Sequence, residues 1–165
     1  MKTSENTGYS FVQIALHWMI ALLVFFQLVF GESMTAVVDA GEEGTNASSS
    51  DVLISVAHYW VGIVILCLVG LRLALRILQG TPPPAGARTW MTYAAGASHW
   101  LFYILLVAVP VTGLLAIYVS GEFGNIHALA KPAFIVLIAL HAAAALFHQF
   151  FLKDGTLRRM FVPAK

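Results

Sequence analysis

The six histidines of this 165-residue chain are the residues best suited to chemistry, because all of them fall in or beside long apolar segments. Ionisable side chains are costly inside a lipid bilayer and mark ion paths, proton relays or ligand sites there. Neutral imidazole is a common ligand for metal ions and for haem iron. The histidines are therefore candidate ligands, although simple packing between helices stays open for His99 and His148. They are His17, His58, His99, His127, His141 and His148.

Two of these histidines, His127 and His141, are 14 residues apart in one apolar segment. In an α-helix this spacing turns the side chain by about 40° and separates the two residues by about 21 Å along the axis. Both would lie on one face at two depths, one near each leaflet of a membrane. This spacing would allow one helix to hold two haem planes, one above the other. His148 lies seven residues further along the same face.

Four long apolar segments must position these histidines. The chain is 59% hydrophobic and only 10% charged, which is too little charge for the surface of a water-soluble domain. It lacks Asp, Glu, Lys and Arg at 6–31, 52–71, 89–121 and 132–152, and about 20 residues suffice for a helix to cross a bilayer. We predict an all-α fold, a single four-helix integral membrane bundle over 1–165, with helices near 11–31, 52–77, 94–119 and 124–152.

Composition excludes several other classes of protein. The formal net charge of +1 is too small for a basic nucleic-acid binder. A single cysteine, Cys67, excludes a disulfide framework and a cysteine-based zinc site, and the absence of CxxCH excludes covalently attached c-type haem. We expect the first apolar segment to be a permanent span rather than a signal peptide, because it holds His17 and no small-x-small cleavage site follows it.

The basic residues predict the orientation of the helices. The first connection, near 32–51, is acidic and has no Lys or Arg, whereas Arg72, Arg76 and Arg88 lie in or beside the second. The C-terminal tail carries four more basic residues. Since Lys and Arg concentrate in cytoplasmic loops, we expect both termini and the second connection to be cytoplasmic.

This orientation sorts the histidines into pairs by depth. Each haem iron held by two imidazoles needs its second ligand from another helix at the same depth. Depth pairs His58 with His127 near the outer side and His17 with His141 near the inner side. Two imidazoles leave no open position for oxygen on the iron, so the pattern favours electron transfer over oxygen chemistry.

Several stretches of the chain resemble the bacterial cytochrome b561 proteins, which are four-helix membrane cytochromes with two haems. The resemblance covers nearly the whole chain, and its last part is the most specific because the ligand spacing and the basic tail occur together. The stretches are IALHW at 14–18, HYWVG at 58–62, VGLRLALR at 69–76, PPP at 82–84, SHWLFYILLVAVPVTGL at 98–114, ALHAAAALFH at 139–148 and LKDGTLRRM at 152–160.

The resemblance implies two non-covalent b-type haems in the bacterial cytoplasmic (inner) membrane. Their axial ligands would be His17 and His141 for one iron and His58 and His127 for the other, in agreement with the pairs from depth. Some members look like superoxide oxidases, in which superoxide is oxidised to oxygen at the outer side and electrons pass through both haems to ubiquinone.

The resemblance also implies a quinone pocket on the cytoplasmic side, at the positions of Arg88, His99 and His148. Because quinone reduction needs protons as well as electrons, His99 and His148 are candidate proton donors at neutral pH. Arg72 and Arg76 have two interpretations. They pair with haem propionates, which guanidinium groups bind well, or they are ordinary cytoplasmic-side basic residues.

The sequence departs from the family pattern around the start of the fourth helix: the outer connection before it is short, and Lys131-Pro132 interrupts the beginning of the helix itself. We expect Pro132 to kink this helix between the two ligands, because proline removes a backbone donor. Lys131 either attracts an anionic substrate to the outer haem or extends its amine to the lipid headgroups. Six acidic residues in the outer connections argue against long-range attraction of anions, so entry would need a local positive spot.

Three functions are consistent with these observations. The first is a membrane oxidoreductase that passes electrons from superoxide to quinone. The second is an electron-relay cytochrome b subunit between quinone and a dehydrogenase or hydrogenase partner. A histidine-lined transporter of divalent metal ions is the most remote, because the apolar segments lack the carboxylates that such ions usually need.

Overall fold

The computed structural model describes residues 8–83 and 89–164, and the regular structure in these ranges is entirely helical. Six α-helices follow one another, and a π-helical turn and a 3₁₀ turn complete the chain. The α-helices are α1 (Phe11–Phe30), α2 (Glu32–Glu42), α3 (Ser49–Gln79), α4 (Thr89–Tyr118), α5 (Glu122–Ala128) and α6 (Ala130–Phe147); the π turn is His148–Leu152 and the 3₁₀ turn is Arg158–Met160.

Within the described ranges, four helical segments are long and apolar enough to cross a membrane. They are α1, α3, α4 and the run Glu122–Leu152, which contains α5, α6 and the π turn. Large apolar side chains cover their outer surfaces, and Leu78 and Phe151 are 81% and 77% exposed. Because so much exposed apolar surface is typical of contact with lipid rather than water, the predicted four-helix membrane fold is confirmed.

Polar residues cap the beginnings of α1 and α3, and a glycine ends α3. The Ser10 hydroxyl accepts a hydrogen bond from the Gln13 amide at 3.3 Å, and the Gln13 side chain accepts one from the Ser10 amide at 3.1 Å. This reciprocal pair is a capping box. Ser48 caps α3 through the Asp51 amide, and Gly80, at φ +75°, ends it in a conformation that favours glycine.

Tyr9 and Ala164, near the two ends of the described chain, lie at the same end of the bundle, which we call the terminal end. The Ala164 amide donates to the Tyr9 carbonyl at 3.0 Å, and the Trp18 indole donates to the Met160 carbonyl at 2.8 Å. Arg159 donates to the carbonyl of Pro83 in the α3–α4 connection at 2.7 Å. The opposite end, which carries α2 and α5, is the far end. That the terminal end is cytoplasmic remains a prediction.

The connection predicted over 32–51 contains a helix, α2, that the sequence did not predict. It runs alongside α3 and half-buries Met34 and Val37, which lie three residues apart on one helix face. The connection therefore forms a helical cover over the far end of α3. The second and third spans also begin earlier than predicted, at Ser49 rather than 52 and at Thr89 rather than 94.

The fourth span is interrupted at Leu129, between α5 and α6. Pro132 lies three residues later, and its missing N–H leaves the carbonyl of Ala128 without its helical partner. The fourth span is thus interrupted at Leu129 rather than at Lys131-Pro132, and the break separates His127 from His141. The kink expected at Pro132 stays a prediction. The core inside the bundle joins all four spans through Val24 of α1, Val69 of α3, Tyr103 of α4 and Phe134 of α6.

Candidate haem sites

The structure brings four of the predicted ligands together in two facing pairs. The ring centres of His58 (α3) and His127 (α5) are 5.9 Å apart at the far end. Those of His17 (α1) and His141 (α6) are 6.3 Å apart at the terminal end. An imidazole nitrogen lies about 2 Å from the metal it binds and about 1 Å from its own ring centre, so two imidazoles on one iron have centres about 6 Å apart. Both pairs fit this requirement.

In the far-end pair, the ring of His127 is fixed by the backbone of α4. Its Nδ1 lies 2.9 Å from the carbonyl oxygen of Val109. Because a carbonyl only accepts, Nδ1 carries the hydrogen and Nε2 keeps its lone pair. Histidines that bind metals usually donate their other N–H in this way, which fixes both the tautomer and the ring orientation. His127 is thus prepared to bind iron through Nε2.

Gly113 leaves the space that the His127 ring occupies. A Cβ atom at position 113 would lie 3.1 Å from both Cε1 and Nδ1 of His127. This is closer than ordinary van der Waals contact between carbon atoms. The ring therefore lies against the bare backbone of α4, one turn after the carbonyl that holds it.

The partner residue, His58, and its neighbour Gln27 each have a side-chain atom without a hydrogen-bond partner. The Gln27 amide nitrogen donates to the His58 carbonyl at 2.9 Å. Across the described ranges, Gln27 Oε1 and His58 Nδ1 are the buried side-chain polar atoms without a hydrogen-bond partner. Buried polar atoms normally have hydrogen-bond partners. Two unpartnered atoms beside the same histidine pair therefore fit a site that binds a further group.

The terminal-end pair is surrounded by rings. His141 has three ring neighbours: His17, His99 at 5.7 Å and Phe102 at 5.2 Å between centres. The indole of Trp18 lies 5.3 Å from the ring of His17. His99 is thus beside the predicted ligand His141, a contact that follows from α4 facing α6 and that depth alone did not reveal. In the residues that the structure describes, no group of three His, Cys, Asp or Glu side chains is placed to hold a metal ion.

Two of the three predicted arginines can be placed. The guanidinium of Arg72 donates to the Gln13 carbonyl at 3.3 Å. That of Arg76 lies 5.9 Å from the ring centre of Trp100 and 5.8 Å from that of Tyr103, as in a cation–π contact. Arg88 lies outside the described residues. A role of these arginines toward propionates or quinone stays a prediction.

Lys131 forms an ion pair with Glu32 of α2 at the far end. Its side chain is 42% exposed and that of Glu32 is 72% exposed. The pair connects residues that are 99 positions apart in the chain, and sequence reasoning missed it. A third interpretation of Lys131 thus joins the two from sequence, because its amine contacts a carboxylate of the helical cover.

His148 lies at the terminal end, in contact with Asp154 rather than with another histidine. Its Nδ1 is 2.5 Å from Asp154 Oδ2, and Thr156 donates to Asp154 Oδ1 from its hydroxyl at 2.7 Å and its amide at 3.0 Å. Partial burial raises the pKa of the Asp154 carboxyl, but the hydrogen bonds from Thr156 and His148 outweigh it and hold the pKa below its usual value. Asp154 is therefore ionised at neutral pH.

A helical membrane bundle with two facing pairs of histidines defines a class of protein, the membrane cytochromes with b-type haem. The sequence profile described as prokaryotic cytochrome b561 matches residues 8–163. The chain belongs to this family. It is therefore a multi-pass membrane electron-transfer protein, and b-type haem is the cofactor of its family.

Individual relatives match the chain over nearly its full length. It is 36% identical over 165 residues to cytochrome b562 of Cereibacter sphaeroides, covering 97% of this chain and 99% of the relative. It is 30% identical to the probable superoxide oxidase CybB of Yersinia pestis, covering 92% and 94%. It is also 30% identical to cytochrome b561 homolog 1 of Escherichia coli K12, covering 92% and 96%.

Proposed function

We propose that this protein is a superoxide:quinone oxidoreductase with two b-type haems, held by His58 and His127 at the far end and by His17 and His141 at the terminal end. The observation that carries the proposal is the presence of two imidazole pairs, each spaced for one iron, at opposite ends of one bundle. The similarity to a relative named probable superoxide oxidase supports the choice of electron donor.

The reaction balances because superoxide gives one electron at a time and quinone takes two. Two superoxide anions each give up one electron and become two molecules of oxygen, while one quinone takes two electrons and two protons and becomes a quinol. When bound, the two haems supply the one-electron carriers between the two ends. The protein must then attract an anion at one end and deliver protons at the other.

At the far end, Lys131 supplies positive charge next to the site of His127. Its ion pair with Glu32 is exposed, and exposed pairs are weak and readily exchanged. An arriving anion competes with the Glu32 carboxylate for the same amine. The far end would face outward in the bacterial inner membrane, since the acidic connections lie there and the basic tail does not.

At the terminal end, His148 supplies the proton chemistry. It lies in the π turn that follows α6, on the same end of the bundle as the basic residues Lys153 and Arg158. Quinone would be reduced there, close to the site of His17 and His141, with protons drawn from the cytoplasm. His99, beside His141, would shape the inner wall of the same region.

The test combines a haem count with rapid mixing on the purified protein. We expect two haems per chain, reduction of the oxidised protein by superoxide, suppression of that reduction by superoxide dismutase, and reoxidation by a short-chain ubiquinone. A protein with two haems that superoxide does not reduce would instead favour an electron-relay cytochrome. A protein without haem after haem-supplemented expression would overturn both.

A further inference from the structure

We propose that Asp154 is a positioning residue that holds His148 as the proton donor to quinone, with Thr156 fixing the carboxylate. The role rests on the proposed function, because it assigns a proton source to the quinone-reducing end. It adds two residues of the C-terminal segment to the machinery of that site.

The backbone after α6 is shaped so that Asp154 meets His148. The helix widens into a π turn at His148–Leu152, and π turns are concentrated at functional sites. Lys153 then adopts a left-handed conformation at φ +53°, and Gly155 follows at φ +78°. A positive φ at a non-glycine residue costs energy and persists where the surrounding contacts favour it. Together these two residues turn the chain back toward the helix.

The contacts of Asp154 use both of its oxygens. Oδ2 accepts from His148 Nδ1 at 2.5 Å, and Oδ1 accepts from the Thr156 hydroxyl at 2.7 Å and amide at 3.0 Å. An ionised carboxylate only accepts hydrogen bonds, so Nδ1 of His148 carries the hydrogen. The other nitrogen, Nε2, is left as the atom that exchanges protons. This His–carboxylate arrangement orients the ring and offsets the positive charge that the ring gains when it is protonated.

The pair is largely shielded from solvent, since the side chains of His148 and Asp154 are only 20% and 13% exposed. A cavity of about 510 Å³ lies in the same segment and is lined by their chain neighbours Gln149, Phe150, Lys153 and Gly155 and by Arg158, while the pair itself does not line it. Small-molecule sites occupy about 300–1,000 Å³ and combine apolar walls with a few polar groups. Phe150 is apolar, and Lys153 and Arg158 are cationic. This lining suits a ligand that has carbonyl groups on a ring and an apolar tail, as a quinone has.

The proton balance of the step is simple. The protonated His148 gives the proton on Nε2 to a quinone oxygen as the electrons arrive, and returns to the neutral ring with its hydrogen still on Nδ1. It regains a proton from water on the terminal side before the second transfer. Asp154 stays ionised throughout and exchanges no proton.

The experiment compares two electron acceptors on the protein with its haems bound. Ubiquinone needs protons, whereas ferricyanide takes one electron and no proton. We expect Asp154→Asn to keep the haem content and spectrum and to leave reoxidation by ferricyanide unchanged. Reoxidation by a short-chain ubiquinone should slow about 100-fold, because general acid catalysis contributes about 10²- to 10⁴-fold and His148 loses the carboxylate that positions it as the acid. Asp154→Glu should restore part of the ubiquinone rate, because it returns a carboxylate.

Two further variants separate positioning from folding. Thr156→Val leaves the carboxylate in place but removes its hydroxyl partner, so we expect a smaller loss with ubiquinone alone. Asp39→Asn makes the same chemical change on α2 at the far end and should match the wild type with both acceptors.

Three outcomes would overturn the role of Asp154. They are an unchanged ubiquinone rate in Asp154→Asn, an equal loss with both acceptors, and failure of Asp154→Glu to restore any rate. If ubiquinone fails to oxidise the wild type while ferricyanide succeeds, the proposed function itself is wrong.

Discussion

The far-end and terminal-end histidine pairs have similar spacing but are fixed by different contacts. At the far end, His127 donates to the Val109 carbonyl at 2.9 Å and lies against the bare backbone of Gly113. At the terminal end, His141 lies among rings on three sides, including those of His17 and His99. The His127 ring is held by a hydrogen bond and fits into the space that glycine leaves at position 113, whereas the His141 ring is held by packing against other rings.

This difference follows from where each proposed ligand lies on its helix. His127 belongs to the short helix α5, which ends one residue later at Ala128, so the fourth span alone gives it little support. Its orientation comes from α4 instead, across the short connection 119–121. His141 lies inside the longer helix α6, whose backbone already fixes its position. The far-end site should therefore depend more strongly on individual contacts outside the ligands.

The largest effects are expected when the proposed ligands themselves are replaced. His141→Ala and His127→Ala should each reduce the haem content from two per chain to one, because a low-spin b haem needs both of its imidazoles. A pyridine haemochrome assay against protein concentration measures this. The remaining haem in the two variants should differ in its reduced spectrum, since the two sites have different surroundings.

The terminal-end site allows a stricter version of this test. His17 and His99 lie at similar distances from His141, so the pairing predicts haem loss in His17→Ala and full haem content in His99→Ala. The opposite result would make His99 the ligand on α4 and His17 its neighbour. Retention of both haems in His141→Ala would refute the terminal-end pair and make His148 the next candidate.

Adding a methyl group at position 113, against the His127 ring, should produce the next largest effect. In Gly113→Ala the new Cβ would lie 3.1 Å from the His127 ring, which cannot move away without losing its hydrogen bond to Val109. Overpacking of this kind costs about 1–3 kcal/mol. We expect selective loss of the far-end haem on dilution or mild heating. The absorbance of this haem measures the loss.

Gly96→Ala is the matched control on the same helix. Its added Cβ would have no neighbour within 4 Å, and alanine favours the helix more than glycine does. We expect this variant to keep both haems and to be as stable as the wild type or slightly more stable. Equal haem loss in both variants would mean that the glycine effect lies in the helix backbone rather than at the His127 ring.

Much of this architecture could be predicted because a membrane span is defined by the absence of charge over a fixed length. The four spans and the depth of each histidine follow from that rule, and the facing of His17 with His141 and of His58 with His127 follows from depth. That these pairs bind haem is still a prediction. An interruption near the start of the fourth span could be predicted too, because proline lacks the N–H that a helix needs, although the structure places it at Leu129, three residues before Pro132.

The contacts that distinguish the two ends could not be predicted in the same way. They join residues far apart in the chain, as when Lys131 meets Glu32, or depend on a local turn, as when Asp154 folds back onto His148. The helix α2 was missed because its acidic residues placed it in a connection between two spans. The apolar positions Met34 and Val37, spaced for one helical face, were the signal that could have revealed it.

The smallest expected effect concerns Lys131, and it tests whether the far end attracts anions through a local charge. Lys131→Gln should slow the reduction of the haems by superoxide, and Glu32→Gln should speed it by releasing the amine. Because exposed ion pairs are worth about 0–1 kcal/mol, we expect changes of about two- to threefold.

Salt provides the internal check on this prediction, because it screens exposed charges with a Debye length of about 10 Å at 0.1 M and about 3 Å at 1 M ionic strength. The difference in rate between Lys131→Gln and Glu32→Gln should therefore shrink at high salt if it is electrostatic.

Glu42→Gln, on the same helix α2, removes a negative charge that has no ion pair to Lys131, and it serves as the control. If it speeds reduction as much as Glu32→Gln does, the rate reflects the overall charge of the cover and Lys131 has no particular role. If neither Lys131→Gln nor Glu32→Gln changes the rate, the lysine only anchors α2 to the fourth span, and the two ends differ in the way they hold their ligands but not in how they attract substrate.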